Sequence, residues 1–284
     1  MHTNATKKAV ADQRPKLKHA MNLQIENKLA LVTGSTAGIG LAIAKALAAE
    51  GARVIVNGRT EARVAEAITA IRADIPSAKV EALALDLSLA EAATEATRRL
   101  PDVDILVNNL GVYEPKAFED ISDADWSAII ETNFMSGVRL SRHYLPRMKA
   151  ANSGRIIFIA SESAVNIPVE MIHYGVTKTM QVALARGLAE TTAGTTVTVN
   201  SVLVGPTRSE GVEKFLVEMA ASKSVPVAEV EKDFFKTVRP GSLLQRFAAT
   251  DEIAPMVAFL ASPLSVATNG AALRVEGGCI TTIL

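Results

Sequence analysis

From position 29 onward, short apolar runs alternate with segments whose apolar residues recur at helical spacing. Residues 29–33, 53–57, 79–85, 103–108, 155–160, 196–202 and 271–275 read as strands. Residues 41–50, 60–74, 88–100, 123–150, 174–190 and 251–261 read as helices, with Pro146 expected to interrupt the long fourth one. Strict strand–helix alternation predicts an α/β fold, a doubly wound Rossmann-type parallel sheet of about seven strands with helices on both faces. No Gly/Pro/Ser-rich linker and no internal repeat divides this region, so a single domain over residues 23–284 is expected.

Two stretches depart from the alternation. Residues 1–22 are basic and lack apolar periodicity, and they read as a flexible arm or an upstream extension ahead of the fold. Residues 208–240 are helical in pattern, with Phe215, Leu216, Met219, Phe234 and Phe235 giving apolar faces. An insertion at the carboxyl ends of strands is a candidate substrate lid or, equally, a packed helical hairpin.

Composition narrows the class. The 284 residues are 49% apolar, and thirty Lys and Arg balance thirty Asp and Glu, which argues against a nucleic-acid or membrane partner. Cys279 is the single cysteine, and the four histidines have no metal-ligand spacing, so neither a disulfide framework nor a metal site is expected. A soluble intracellular protein fits this balance.

The first strand runs into Gly34-Ser35-Thr36-Ala37-Gly38-Ile39-Gly40 and then a helix. Backbone N–H groups at a helix N-terminus attract an anionic pyrophosphate, and glycines allow the close approach. A strand-to-helix turn without ligand is the plainer alternative. No Gly-Lys-Ser/Thr follows, which disfavours a nucleoside-triphosphate loop. The second strand ends in Asn57-Gly58-Arg59 with no acidic residue, so Arg59 points to the extra phosphate of NADP, with NAD the alternative.

Tyr174 and Lys178 stand four apart on a helix and therefore share a face. A nearby ammonium is expected to draw a phenol's pKa toward neutrality, making Tyr174 a usable acid and base. A solvated polar face is the alternative. Glu162 would oppose that effect if it pointed inward, so it is expected to face away, while His173 is assigned to packing or the pocket rim.

With these residues in view, the chain resembles the short-chain dehydrogenase/reductase family over about residues 28–278. The resemblance is carried by Thr33-Gly34-x-x-x-Gly38-Ile39-Gly40, Asp86-Leu87, Asn108-Asn109-Leu110-Gly111, Asn133, Ser161 thirteen positions before Tyr174, and Gly205-Pro206-Thr207. It implies that Asp86 and Leu87 hold an adenine ring and that Asn109, Gly111, Lys178, Pro206 and Thr207 line the nicotinamide half. It implies also that Asn133, Ser161, Tyr174 and Lys178 catalyse hydride transfer between a carbonyl and an alcohol, Ser161 binding the carbonyl oxygen and Asn133 completing a proton relay. Val112, Tyr113, Ile167 and Met171 are candidate pocket-lining residues, joined by Val204 and Gly205 at the wall and by Ser163 as a pocket contact or a capping hydrogen bond. They favour an apolar or aromatic ketone or a 3-oxoacyl thioester. A homotetramer, or else a dimer, is the assembly the family implies.

Overall fold

The computed structural model describes residues 21–283, so the expected arm over 1–22 lies outside the described residues except at its last two positions. The strands are β1 (Leu29–Val32), β2 (Arg53–Gly58), β3 (Lys79–Ala84), β4 (Ile105–Asn108), β5 (Arg155–Ile159), β6 (Thr198–Val204) and β7 (Ala272–Val275). All pair in parallel, in the spatial order β3-β2-β1-β4-β5-β6-β7. The order reverses between β1 and β4, and a crevice outside the carboxyl ends of these two strands is where such sheets bind ligands.

The helices are α1 (Gly38–Ala49), α2 (Glu61–Asp74), α3 (Ala90–Arg99), α4 (Asp123–Ile130), α5 (Ser136–Ala150), α6 (Ile172–Glu190), α7 (Glu210–Lys223), α8 (Val227–Thr237) and α9 (Thr250–Ala261). Period-two alternation divides the strands between two cores. Ala30, Val32, Ile105, Val107, Ile157 and Ile159 face a layer with Ile43 and Leu47 of α1, Ile71 of α2 and Val257 of α9. Leu31, Leu106, Ile156 and Phe158 face the other, with Leu140 and Tyr144 of α5 and Ala185 of α6. Central strands buried on both faces must be apolar throughout, which is why they are legible as continuous runs.

Two details differ from the sequence reading. Pro146 does not interrupt the long helix: it sits on the exposed face of α5. The break falls instead at a π-helical turn, Glu131–Met135, which carries Asn133. The sixth strand also begins and ends later than expected, running to Val204.

The 208–240 insertion folds into α7 and α8 as a hairpin with its own small core of Leu216, Ala220, Val230, Phe235 and Phe247. Phe215 stays 41% exposed. Arg63 of α2 pairs with Glu210 at 3.0 Å, and a Cβ placed on Gly38 would lie 3.3 Å from Ser209. The insertion therefore begins directly over the glycine turn.

Candidate active site

The glycine turn is held from three strands. Asn57 is buried at the end of β2, where its Oδ1 accepts from the Gly34 amide (3.0 Å) and its Nδ2 donates to the Leu83 and Leu85 carbonyls. Asn109 Nδ2 donates to the carbonyls of Thr33 and Gly34 at 2.9 and 3.0 Å. The Thr33 hydroxyl accepts from the amides of Asn109 and Leu110, both at 2.9 Å. Gly34 takes a φ of +59°, open to glycine at little cost, and a Cβ on Gly40 would meet the Gly34 carbonyl at 2.3 Å. Ser35 donates its hydroxyl to Val32 O, accepts from Asn57 N and is fully buried, so it shapes the turn and offers no hydroxyl to a ligand.

These residues fit a dinucleotide. Helix α1 starts at Gly38 with no side-chain cap and no acidic residue in its first turn, which leaves its amides open to an anion. Thr36 and Ile39 are half-buried along this turn. Arg59 is exposed just past β2 and has no hydrogen bond or ion pair among the described residues. Asp86 caps the turn before α3, its Oδ1 accepting from the amide and hydroxyl of Ser88, while the Leu87 side chain is in the core. Thr207 is buried, its hydroxyl donating to Gly205 O, and Pro206 O accepts from Ala248 N.

Asn133, Ser161, Tyr174 and Lys178 converge on the same crevice. The Lys178 ammonium lies 5.7 Å from the centroid of the Tyr174 ring. A Cβ on Gly111 would lie 3.4 Å from Lys178 Nζ and 3.6 Å from Asn133 Oδ1. Ser161 caps the 3-10 turn Glu162–Ala164 by accepting from Ser163 N at 3.1 Å, so its own proton remains to donate. Asn133 accepts from Val112 N at 2.8 Å and donates to Val112 O and to the Thr177 hydroxyl.

The electrostatics correct two expectations. Burial pushes the Tyr174 phenol up to about 12; the Ser161 hydroxyl draws it down and the Glu162 carboxylate raises it. Burial also brings Lys178 down to about 8, and its Nζ is turned inward, donating to Ile159 O (2.8 Å) and Gln181 Oε1 (3.2 Å). Glu162 does not face away: it is 3% exposed, and its Oε1 accepts from Arg239 Nε at 2.8 Å and from the Ser163 hydroxyl at 3.2 Å. An inward Glu162 is tolerated because Arg239, at the end of the insertion, supplies the opposite charge.

Tyr113 packs edge-on to Tyr174 with centroids 6.1 Å apart; Val112, hydrogen-bonded to Asn133, and Ile167, against Gly175, are exposed, and Met171 is half-buried. Three further pocket candidates are held by the fold around them. Val204 is buried in β6 within the sheet core, Gly205 packs on the Glu276 backbone, where a Cβ would meet Glu276 O at 2.4 Å, and Ser163 is buried in the Glu162 hydrogen-bond set. His173 is buried edge-on to Trp126, a packing role. Sequence patterns missed Gln181, Asn57 and Arg239; each acts through a partner distant in the chain, and only Gln181 carried a local signal, a polar residue on the buried face of α6.

The short chain dehydrogenase family model matches residues 28–219. The chain is 49% identical over 263 residues to the uncharacterized oxidoreductase YvaG of Bacillus subtilis, covering 93% of this chain and 100% of that protein. It is 33% identical to a D-beta-hydroxybutyrate dehydrogenase of Cupriavidus necator, over 90% of this chain and 99% of that one. Among solved structures, the L-sorbose reductase of Gluconobacter frateurii, complexed with NADPH and L-sorbose, superposes with a TM-score of 0.86 at 29% identity, covering 93% of this chain and 100% of that chain. The chain belongs to the short-chain dehydrogenase family and is an oxidoreductase of that class. Among the described residues, no helix is long and apolar enough to cross a membrane, and no group of His, Cys, Asp and Glu is arranged to hold a metal.

Proposed function

We propose that this protein is an NADPH-dependent reductase of ketones. The convergence of Tyr174, Ser161 and Lys178 beside the crevice carries this function. The open amides of α1 would hold the pyrophosphate and unpaired Arg59 the additional phosphate. Asp86 and Leu87 would hold the adenine, and Asn109, Gly111, Lys178, Pro206 and Thr207 the nicotinamide half. NADPH in the Gluconobacter frateurii reductase supports NADP over NAD here. The bound cofactor supplies the hydride.

Ser161 donates a hydrogen bond to the carbonyl oxygen and so stabilises the charge that develops there. Tyr174 transfers its proton to that oxygen as the carbonyl carbon is reduced, leaving an alcohol and a phenolate. The phenol carries its proton at neutral pH; the burial that raises it also weakens it as an acid, which the Ser161 hydrogen bond offsets in part. Lys178, held inside the fold, offers its remaining N–H toward Gly111 and the crevice.

The exposed apolar residues Val112, Tyr113 and Ile167 favour a small uncharged ketone, entering beneath α7 and α8 acting as a lid. A hydroxylated ketone is a second reading, favoured by the Glu162–Arg239 charges beside Tyr174. The protein would act as a cytoplasmic homotetramer. NADPH consumption by the full chain over aliphatic, aromatic, hydroxylated and 3-oxoacyl thioester ketones tests the function. Turnover of one class is expected, and no consumption with any class would overturn it.

A further inference from the structure

Gln181 is 2% exposed on α6, one turn beyond Lys178, and both ends of its side chain are engaged. Its Oε1 accepts from Lys178 Nζ at 3.2 Å, and its Nε2 donates to the main-chain carbonyl of Asn133. That carbonyl belongs to the π-helical turn Glu131–Met135, where widened backbone hydrogen bonding turns a carbonyl toward a side-chain donor. The two partners fix the amide's orientation. An ammonium has only donors, so it requires the Gln181 oxygen; a carbonyl only accepts, so it requires the Gln181 nitrogen.

The surroundings of Lys178 leave this amide a large share of its polar environment. Ile159 O at the end of β5 is its other acceptor, Gly111 lies on the crevice side, and Tyr174 is the titratable neighbour on its own helix. Glu162, Arg239 and Tyr113 bear on Tyr174, and no carboxylate of the described residues is within ion-pair distance of Lys178. An uncompensated buried ammonium is costly, so its charge state depends on the acceptors that remain.

We propose that Gln181 is a positioning residue: its amide, clamped between the Asn133 carbonyl and Lys178, holds the ammonium charged beside Tyr174 and closes its inner side to water. Proton exchange between Lys178 and solvent then runs through the crevice past Gly111, because an amide fixed at both ends does not relay a proton. The inference rests on the ketone-reductase function proposed above.

The test compares pH profiles of ketone reduction for the parent, Gln181→Met and Gln181→Glu. Methionine removes an acceptor from the ammonium, so the alkaline limb should move to lower pH by about one unit or more. Glutamate adds a negative charge, so the limb should move to higher pH. A purely structural residue would lower thermal stability in both variants and leave the limbs together; coincident limbs in all three proteins overturn the proposal. Should neither variant fold, NMR titration of the native chain decides. The Gln181 side-chain amide resonances must shift with the same midpoint as Lys178 Cε, and their indifference to that midpoint overturns it. A parent without ketone reduction counts against the proposed function alone, and the same titration then still judges Gln181.

Discussion

Arg239, two residues past the end of α8, donates from Nε to Oε1 of Glu162 at 2.8 Å, and Glu162 directly follows Ser161. A charge pair with side chains only 14% and 3% exposed thus pins the inserted hairpin to the loop that carries Ser161. Removing one partner leaves a buried charge without compensation, whereas replacing both can be nearly neutral.

Arg239→Ala should therefore destabilise the protein by about 3–5 kcal/mol in denaturant unfolding. The double variant Glu162→Gln with Arg239→Met should recover most of that loss. Equal losses in the single and double variants would mean that the pair does not act as a unit.

Burial of Lys178 and Tyr174 gives the apoprotein a pH signature. Lys178 falls from 10.5 to about 8 in the folded state, so between these values the unfolded chain holds more protons and stability rises with pH. Tyr174 rises from 10.0 to about 12, so across that window the folded chain holds more protons and stability falls as pH rises. Urea unfolding at intervals between these pH values should give a maximum near pH 10, and Lys178→Met should lose the rising side.

Cofactor choice turns on Arg59. Hydrogen bonds to charged groups contribute enough that Arg59→Ala should weaken NADPH binding roughly 10–100-fold. NADH affinity should change little, because it lacks the phosphate Arg59 would hold. Fluorescence titrations of both cofactors measure the difference, and parallel losses would remove Arg59 from the site.

Assembly should run through α6. Ala183 and Gly187 are exposed there, and a Cβ on Gly187 would meet nothing within 4 Å, leaving a smooth face for a second copy. Light scattering should return four chains for the parent and fewer for Gly187→Arg. An unchanged mass would place the interface elsewhere.

The sheet was legible because buried parallel strands need apolar residues at every position, as Leu29–Val32 and Ile105–Asn108 illustrate. The glycine turn and the Ser161, Tyr174 and Lys178 set were legible because their spacings are local or recur in the family. Spacing could not reveal which way Glu162 points, since Arg239, which neutralises it, stands 77 positions along the chain. Nor could it show that Gln181 reaches a carbonyl 48 residues upstream.

In the proposed reaction the Tyr174 hydroxyl delivers the proton. Single-turnover NADPH oxidation with a reducible ketone and saturating cofactor measures that step in the parent and in Tyr174→Phe. The variant's rate should be lower by about 10²- to 10⁴-fold with NADPH affinity and thermal stability retained. Equal rates in the two proteins would contradict it.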